Sequence, residues 1–457
     1  VAAGPAPPGT APGGRRPWRQ LALLSGLISM DSSESSVISV LFPALRAALG
    51  LPLSALGTLV AVGKLAGMVT GPLWVMLAQR VSRKTVLVIS SGLWGVWSIA
   101  AGLSQNYVQL LILSTIAAAG FAGGGALVNG ILADLFDDAH RGRAAGYLYA
   151  GVAVLLAVVG PLLGLLSEVH NGWRYGFFLS GAVTVAFGLL VAAFFRDPGV
   201  GAAENPGVGA AENPGVGAAE PHRGGPARPG ATVLNRAVLR ELMSSRTFRL
   251  ILVQRFANTQ LAMVSFGVVY LVDVFHFDNA TASLVSAPAA ICFLIGTALG
   301  GQIVDRVQRR LPDAGRLLTW QLATLGWGVA ALLATQVTWP SIGIYVVLFC
   351  VLGVLQGFNP GCNRPILMAV TRPETRSAAF AVMLSAESAG WAASTLAIGY
   401  AGSAFGLRTA VLWLVVVLNL ANALFMTLIH RPLRREALAL RAATADTHPR
   451  TSGAENR

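Results

Sequence analysis

Charge is what this chain has least of. Asp, Glu, Lys and Arg make up 12% of its 457 residues, about half the share of an ordinary soluble domain. So few charges cannot solvate the surface of a globule this long. Cysteine is nearly missing as well. Cys292, Cys350 and Cys362 each lie inside an apolar stretch, which argues against a disulfide scaffold and for buried thiols. All six histidines fall in loops, tails or the ends of apolar stretches, so no histidine relay or metal site is expected within those stretches. The nucleophile elbow G-x-S-x-G does not occur. Gly57 to Gly63-Lys64 approaches a phosphate loop, but it is one residue too long and Leu65 replaces Ser or Thr. ATPase and lipid-modifying chemistry both lack their signatures, so no enzyme activity and no cofactor are expected.

What is there is apolar. Hydrophobic residues make up 54% of the chain and mean hydropathy is +0.64. Runs of about 20 such residues recur, each long enough to cross a bilayer as a helix. They do not alternate apolar with polar, as the strands of a membrane barrel do. The expectation is an all-α membrane protein with twelve transmembrane helices in two pseudo-symmetric six-helix lobes. The spans are placed at 20–43, 53–78, 85–104, 107–135, 144–167, 174–195, 248–274, 281–304, 316–336, 341–370, 376–404 and 407–430.

Net charge is +13, yet its placement argues against nucleic acid. Connections after even spans carry Arg80, Arg83 and Lys84; Arg141 and Arg143; Arg306, Arg309 and Arg310; and Arg372. Connections after odd spans hold little basic beyond Arg46, Arg174 and Arg408. The positive-inside bias then puts both termini on the cytoplasmic side of the cell (inner) membrane. No cleaved leader is expected ahead of the first span.

The domain layout reads as an N-terminal tail (1–19), a first lobe (20–195), a linker (196–247), a second lobe (248–430) and a C-terminal tail (431–457). Within the linker, Pro-Gly-Val-Gly-Ala-Ala-Glu-Asn occurs at 198–205 and again at 206–213, too rich in Pro and Gly to bury a core. Val233–Arg249 reads as a basic amphipathic stretch on the inner membrane surface.

The two halves echo each other. Gln79-Arg80-Val81-Ser82-Arg83-Lys84 aligns with Asp305-Arg306-Val307-Gln308-Arg309-Arg310 at an offset of 226. Arg141-Gly142-Arg143 is echoed by Arg372–Arg376. Parallel six-helix repeats of this kind place a binding site at the lobe interface. With Gly301, Asp305, Arg306, Arg309 and Arg310, the second copy resembles the G-x-x-x-D-R-x-G-R-R loop of the major facilitator superfamily. Gln308 stands for its second glycine, and in the first copy Gln79 replaces the Asp and Ser82 the Gly. The resemblance implies the major facilitator fold and assigns these loop residues to conformational gating, with Asp134, Arg141, Arg143 and Arg376. Gly160-Pro161-Leu162-Leu163-Gly164 is similar to a shortened antiporter motif of drug/proton exchangers. Met30-Asp31, with Ala133–Phe136 and the arginines after span four, is similar to Spinster-type lipid transporters, which carry a glutamate where this chain has Gly123–Gly125.

Charges inside the spans point to function. Ser29–Ser36 is a polar run within the first apolar stretch and includes Asp31 and Glu34. A charge at the centre of a membrane helix costs roughly 2.5–3.5 kcal/mol. Asp31 lies about 15 Å into span one and Lys64 about 16 Å into span two from the other side, so the two are level. Asp31 and Glu34, at i and i+3, share a face. Two acids for one base make a proton-coupling site, with Lys64 as counter-ion. The alternative is a polar seam that locks spans one and two.

In the second half Ala257 and Gln260 stand at the repeat positions of Asp31 and Glu34, so the lobes differ chemically. Glu387 lies near the midplane of span eleven, where Arg364 or Arg255 would pair with it, or it would bind a cationic group. Both arginines would otherwise snorkel to the interface. Arg364 sits in Asn359-Pro360-Gly361-Cys362-Asn363-Arg364-Pro365, read as a broken helix lining a cavity. Asn359, Asn363, Asn129 and Gln260 join Glu387, Arg364 and Arg255 as substrate contacts. Trp94, Trp97, Trp327 and Trp391 would line an apolar cavity or serve as packing.

The functional expectation is a monomeric, proton-coupled secondary transporter that exports an amphipathic or organic small molecule. Sodium is the alternative coupling ion, and membrane lipids are the surrounding partners. Two other readings are a Spinster-like lysophospholipid transporter and a transporter-fold sensor without flux.

Overall fold

A computed structural model describes residues 16–136, 138–198, 236–312, 314–372 and 375–447. The repeat-bearing part of the linker and the ends of both tails lie outside these residues. Among the described residues the long helices group into two sets of six, joined by short breaks within each set. The first lobe holds α1 (Arg16–Leu49), α2 (Leu53–Arg80), α3 (Arg83–Gly102), α4 (Tyr107–Phe121 and Gly124–Leu135), α5 (Asp138–Ser167) and α6 (Gly172–Phe194). The second holds α7 (Arg246–Phe256 and Gln260–Phe275), α8 (Asn279–Arg310), α9 (Gly315–Gln336), α10 (Ile342–Val370), α11 (Arg376–Phe405) and α12, which starts at Leu407.

Among the described residues, nine helices are long and apolar enough to cross a membrane by length and composition. The segments α1, α4 and α11 fall short of that measure. All three contribute to the cavity described below; α4 falls short by length, because its break at 122–123 leaves only the apolar helix Tyr107–Phe121.

Local sequence sets the ends. Pro52 is extended before α2, and the Asn106, Ser245 and Asp278 side chains accept from the backbone N–H of Gln109, Phe248 and Thr281. Each cap satisfies a donor that a helix start leaves orphaned. Gly406, at φ 86, turns the chain between α11 and α12. Two segments flanking the second lobe are helical. The expected C-terminal tail from 431 is helical through Thr447, because Leu433 reaches the second-lobe core. Glu436 then caps α7, accepting from Ser245 Oγ at 2.6 Å and from the Arg246 N–H at 2.8 Å. Ahead of α7, a short helix at Arg236–Ser244 seats Val238 and Leu242 in that same core.

The cores reveal how the lobes meet. One hydrophobic cluster draws on both lobes, joining Phe42, Leu56 and Trp173 to Phe266, Ile398 and Val415. Two others belong to single lobes: one holds Leu24, Ile131 and Leu148, the other Phe248, Trp320 and Ile366. The shared cluster lies toward the odd-numbered connections and the separate ones toward the Arg-rich, even-numbered connections. The bundle is therefore clasped on one face only.

Three seams make the clasp. Arg46 Nη1 meets Asp273 Oδ2 at 2.5 Å between α1 and α7. Asn279 Nδ2 donates to Ser167 Oγ at 2.5 Å and to the Val40 carbonyl at 3.1 Å. Between α2 and α11, Gly57 and Gly399 bring backbones together so closely that a Cβ on Gly57 would overlap the Thr395 carbonyl. Ser54 N–H donates to Ser403 Oγ there at 3.0 Å.

Candidate functional site

A cavity of about 520 Å³ is walled by the first lobe and meets the second at Ser388. Asp31 and Ser32 of α1, Lys64 of α2, Tyr149 of α5 and Ser388 of α11 are on its wall, and most of the rest is small or apolar. Asp31 and Lys64 thus line the same cavity.

The polar run on α1 is mostly neutralised by its own helix. Ser29 Oγ donates to the Ser25 carbonyl at 2.6 Å, Ser32 Oγ to Ile28 at 2.8 Å and Ser33 Oγ to Met30 at 3.1 Å. Back-bonding of this kind hides hydroxyls from an apolar medium. Asp31 is buried and faces Gly124 and Ser91. A Cβ on Gly124 would overlap both Asp31 Oδ2 and Ser91 Oγ. Ser91 sits in a wide-turn helical stretch, Val88–Gly92, of the kind frequent at functional sites. Sequence reading missed Ser91 and the role of Gly124; the glycine run opposite a buried acid was the available signal. The side chain of Glu34, the second expected coupling acid, lies outside the described residues.

Lys64 corrects one expectation. It does not pair with Asp31: its Nζ stands 3.7 Å from the centroid of the Trp391 ring, across the lobe boundary. The ring's negative face attracts the ammonium. Trp391 is itself fixed, its Nε1 donating to Ser265 Oγ on α7 at 3.1 Å. Of the four tryptophans considered, Trp391 is the one in contact with a charge of the cavity wall. Trp94 packs against Gly120 and donates to the Ile116 carbonyl at 2.6 Å, and Trp327 is buried in the shared core.

One turn before Trp391, Glu387 forms an ion pair with Arg255. Arg255 is 3% exposed, and among the described residues no acceptor reaches its Nε or Nη1. Of the two partners expected for Glu387, the fold selects Arg255. Arg364 is exposed and is not on the cavity wall. Its helix is also not broken: α10 runs through Pro360 and Pro365 without interruption. Close packing on α8, where Gly353 and Gly357 meet the Ala289 and Phe293 carbonyls, holds the helix despite the lost N–H donors. The breaks fall instead at 257–259 in α7 and at 122–123 in α4.

Other expected contacts are tied up within a lobe. Asn359 accepts from Trp320 Nε1 at 2.5 Å and donates to Gln260 Oε1 at 2.9 Å, a knot joining α7, α9 and α10. Asn363 is buried on α10. Asn129 bonds the Tyr149 hydroxyl at 2.9 Å, next to the cavity.

The loops expected to gate differ between halves. Where Gln79 replaces the expected acid, Arg83 is ion-paired instead, meeting Asp134 at 2.6 Å and Asp197 at 2.6 Å. The Asp134 partner was among the expected residues and Asp197 was not. In the second half Asp305 lies 3.9 Å from Arg316, with both side chains substantially exposed. Gln308, in place of glycine, accepts from the Arg316 N–H at 2.8 Å. Arg80, Arg306, Arg309 and Arg310 are exposed, and Arg143 lies over the Trp18 ring. Lys84 is half-buried beside Arg83, and Arg376 reaches the Met368 carbonyl at 3.5 Å. The Arg141 side chain lies outside the described residues.

Comparison with known proteins agrees with this architecture. A bacterial homologue of the human lysosomal transporter Spinster, solved in an inward-facing, unoccupied conformation, superposes with a TM-score of 0.69 at 18% identity, covering 94% of this chain and 99% of that one. The chain is 30% identical to the probable 4-methylmuconolactone transporter of Cupriavidus pinatubonensis over 37% of its own length and 40% of that protein's. It is 26% identical to the probable sulfoacetate transporter SauU of Cupriavidus necator over 60% of its length and 61% of that protein's. These alignments span less than two thirds of either relative. The sequence model of the Major Facilitator Superfamily matches residues 23–312, more than half of the chain. With that match and the two clasped lobes, the chain belongs to the Major Facilitator Superfamily.

Proposed function

We propose that this protein is a proton-coupled secondary transporter that moves a small organic molecule across the membrane by alternating access. The observation that carries this reading is the cavity, which is walled mainly by the first lobe, meets the second at Ser388, and has a carboxylate, Asp31, on its wall. A carboxylate there is exposed to one side of the membrane at a time if the lobes rock, and can carry a proton through the cycle. The Arg-rich connections lie on the unclasped face, and the positive-inside bias makes that face cytoplasmic. The state described is then inward-facing.

A volume of about 520 Å³ suits a drug-sized ligand and supports the small-molecule reading over the lysolipid one. The names of the two Cupriavidus relatives, which refer to 4-methylmuconolactone and sulfoacetate, support it as well. All the residues invoked lie in one chain, so a monomer suffices.

The test is transport into proteoliposomes under an imposed pH gradient, with a panel of organic solutes and lysolipids. Wild-type protein is expected to accumulate a small solute, and Asp31→Asn to keep exchange while losing accumulation. If Asp31→Asn and Glu34→Gln both retained gradient-driven accumulation, proton coupling at this site would be refuted. Binding without any flux would identify a sensor.

A further inference from the structure

We propose that the transported molecule carries an anionic group, a carboxylate or sulfonate, that binds Lys64 and displaces its ammonium from Trp391. This rests on the transporter reading above and names its substrate class.

Lys64 is held differently from the ion-paired bases of the bundle, and unlike Arg174, which lies over Trp173 but donates to the Gly102 carbonyl, it has no oxygen acceptor among the described residues. Arg46, Arg83 and Arg255 each face a carboxylate. Among the described residues Lys64 has no carboxylate within ion-pairing distance, and its partner is the Trp391 ring at 3.7 Å. An ammonium carries three hydrogen-bond donors. A ring face offers them attraction but no lone pair in a fixed direction, so an arriving oxyanion outcompetes it.

The position fits a ligand. Lys64 is the single base on the cavity wall among the described residues. Around it, Gly63, Gly67, Ala118 and Ala122 leave room for an apolar body. The class is therefore an organic acid with a compact hydrophobic part.

The contact also spans the lobes. Lys64 belongs to α2, and Trp391 belongs to α11 and is anchored to α7 through Ser265. The Gly57–Gly399 seam joins the same two helices toward the clasped face. An anion that removes Lys64 from Trp391 loosens α2 from α11 at cavity level. A ligand shifts a conformational equilibrium only through such differential contacts.

The experiment uses the full-length purified chain and matched probes. These are phenylacetate, phenylacetamide and phenethylamine; butyrate, butyramide and butylamine; and benzenesulfonate with benzenesulfonamide. Binding is read by calorimetry and by thermal shift. At least one acid or sulfonate is expected to bind at least roughly tenfold more tightly than its amide or amine. Lys64→Gln loses that preference and Lys64→Arg, which keeps the charge, retains most of it. Trp391→Phe, which weakens the competing ring, is expected to tighten anion binding several-fold, whereas a purely structural tryptophan would weaken it.

Preference for the amines or amides overturns the proposal, as does failure of every acid to bind or unchanged acid binding in Lys64→Gln. The two readings fail separately. Gradient-driven flux of a neutral or cationic probe would leave the transporter standing without this site. Lys64-dependent acid binding with no flux would leave the site standing without the transporter.

Discussion

The two lobes treat their buried charges in opposite ways. In the second lobe Arg255 and Glu387 close on each other, and neighbouring polar groups are knotted as Trp320–Asn359–Gln260. In the first lobe Asp31 and Lys64 face the cavity, and Lys64 reaches across to the other lobe's tryptophan. A buried pair that is broken leaves an uncompensated charge, which is expensive. A charge on a cavity wall has water or ligand for company. The second lobe thus uses charge to hold α7 against α11, and the first sets an acid and a base on the cavity wall.

The largest expected effect breaks this contrast at its rigid end. Arg255→Gln strands Glu387 beside a buried helix junction and should destabilise the protein by roughly 3–5 kcal/mol. Adding Glu387→Gln should recover much of that loss, because the pair acts as a unit. Asp31→Asn should cost little or stabilise. Thermal unfolding of the four proteins measures all of this. Equal losses in Arg255→Gln and Asp31→Asn would erase the distinction between the lobes.

A second prediction concerns the clasp. Gly57→Val drives a branched side chain into the Thr395 carbonyl, and overpacking of this kind costs roughly 1–3 kcal/mol. The cost falls on the clasped state, since the seam exists only there. The equilibrium should shift about five- to hundredfold toward opening on the odd-connection face. A cysteine at Ser32, on the cavity wall, reads the shift by membrane-impermeant labelling. Its labelling from the Arg-rich face should fall and that from the other face rise. Unchanged labelling would mean that the seam does not set the state.

Much of this was legible in the sequence, and the reason is geometric. Apolar runs of bilayer length give helices, and a fixed rise per residue gives depth, so the expected depths of Asp31 and Lys64 follow by counting. Rotation about each helix and pairing across the lobe boundary do not follow by counting. Counting alone therefore matches Lys64 to Asp31, where the fold gives it Trp391, and leaves Glu387 between Arg255 and Arg364. Prolines at 360 and 365 suggested a broken α10, yet packing against α8 keeps it whole. Asp197 as a partner of Arg83 was equally invisible, since the two are 114 residues apart.

The smallest expected effect sharpens the contrast by placing the same substitution outside the membrane. Asp278 caps α8, accepting from the Thr281 N–H at 2.7 Å. Bonds from the Thr281 side chain and backbone hold its carboxyl below the usual carboxylate range. A carboxyl depressed on folding adds stability above its unfolded value, near pH 4, and loses it as pH falls through the lower folded value. Between pH 5 and 8 that contribution is flat. Asp278→Asn keeps the cap, because Asn serves there as well as Asp, so unfolding temperature and transport should stay near wild type across this range. Asp31→Asn removes an acid of the cavity wall and should abolish the dependence of accumulation on the pH gradient. If Asp278→Asn changed that dependence as much as Asp31→Asn does, the effect would belong to overall charge, and the cavity wall would lose its claim to the proton.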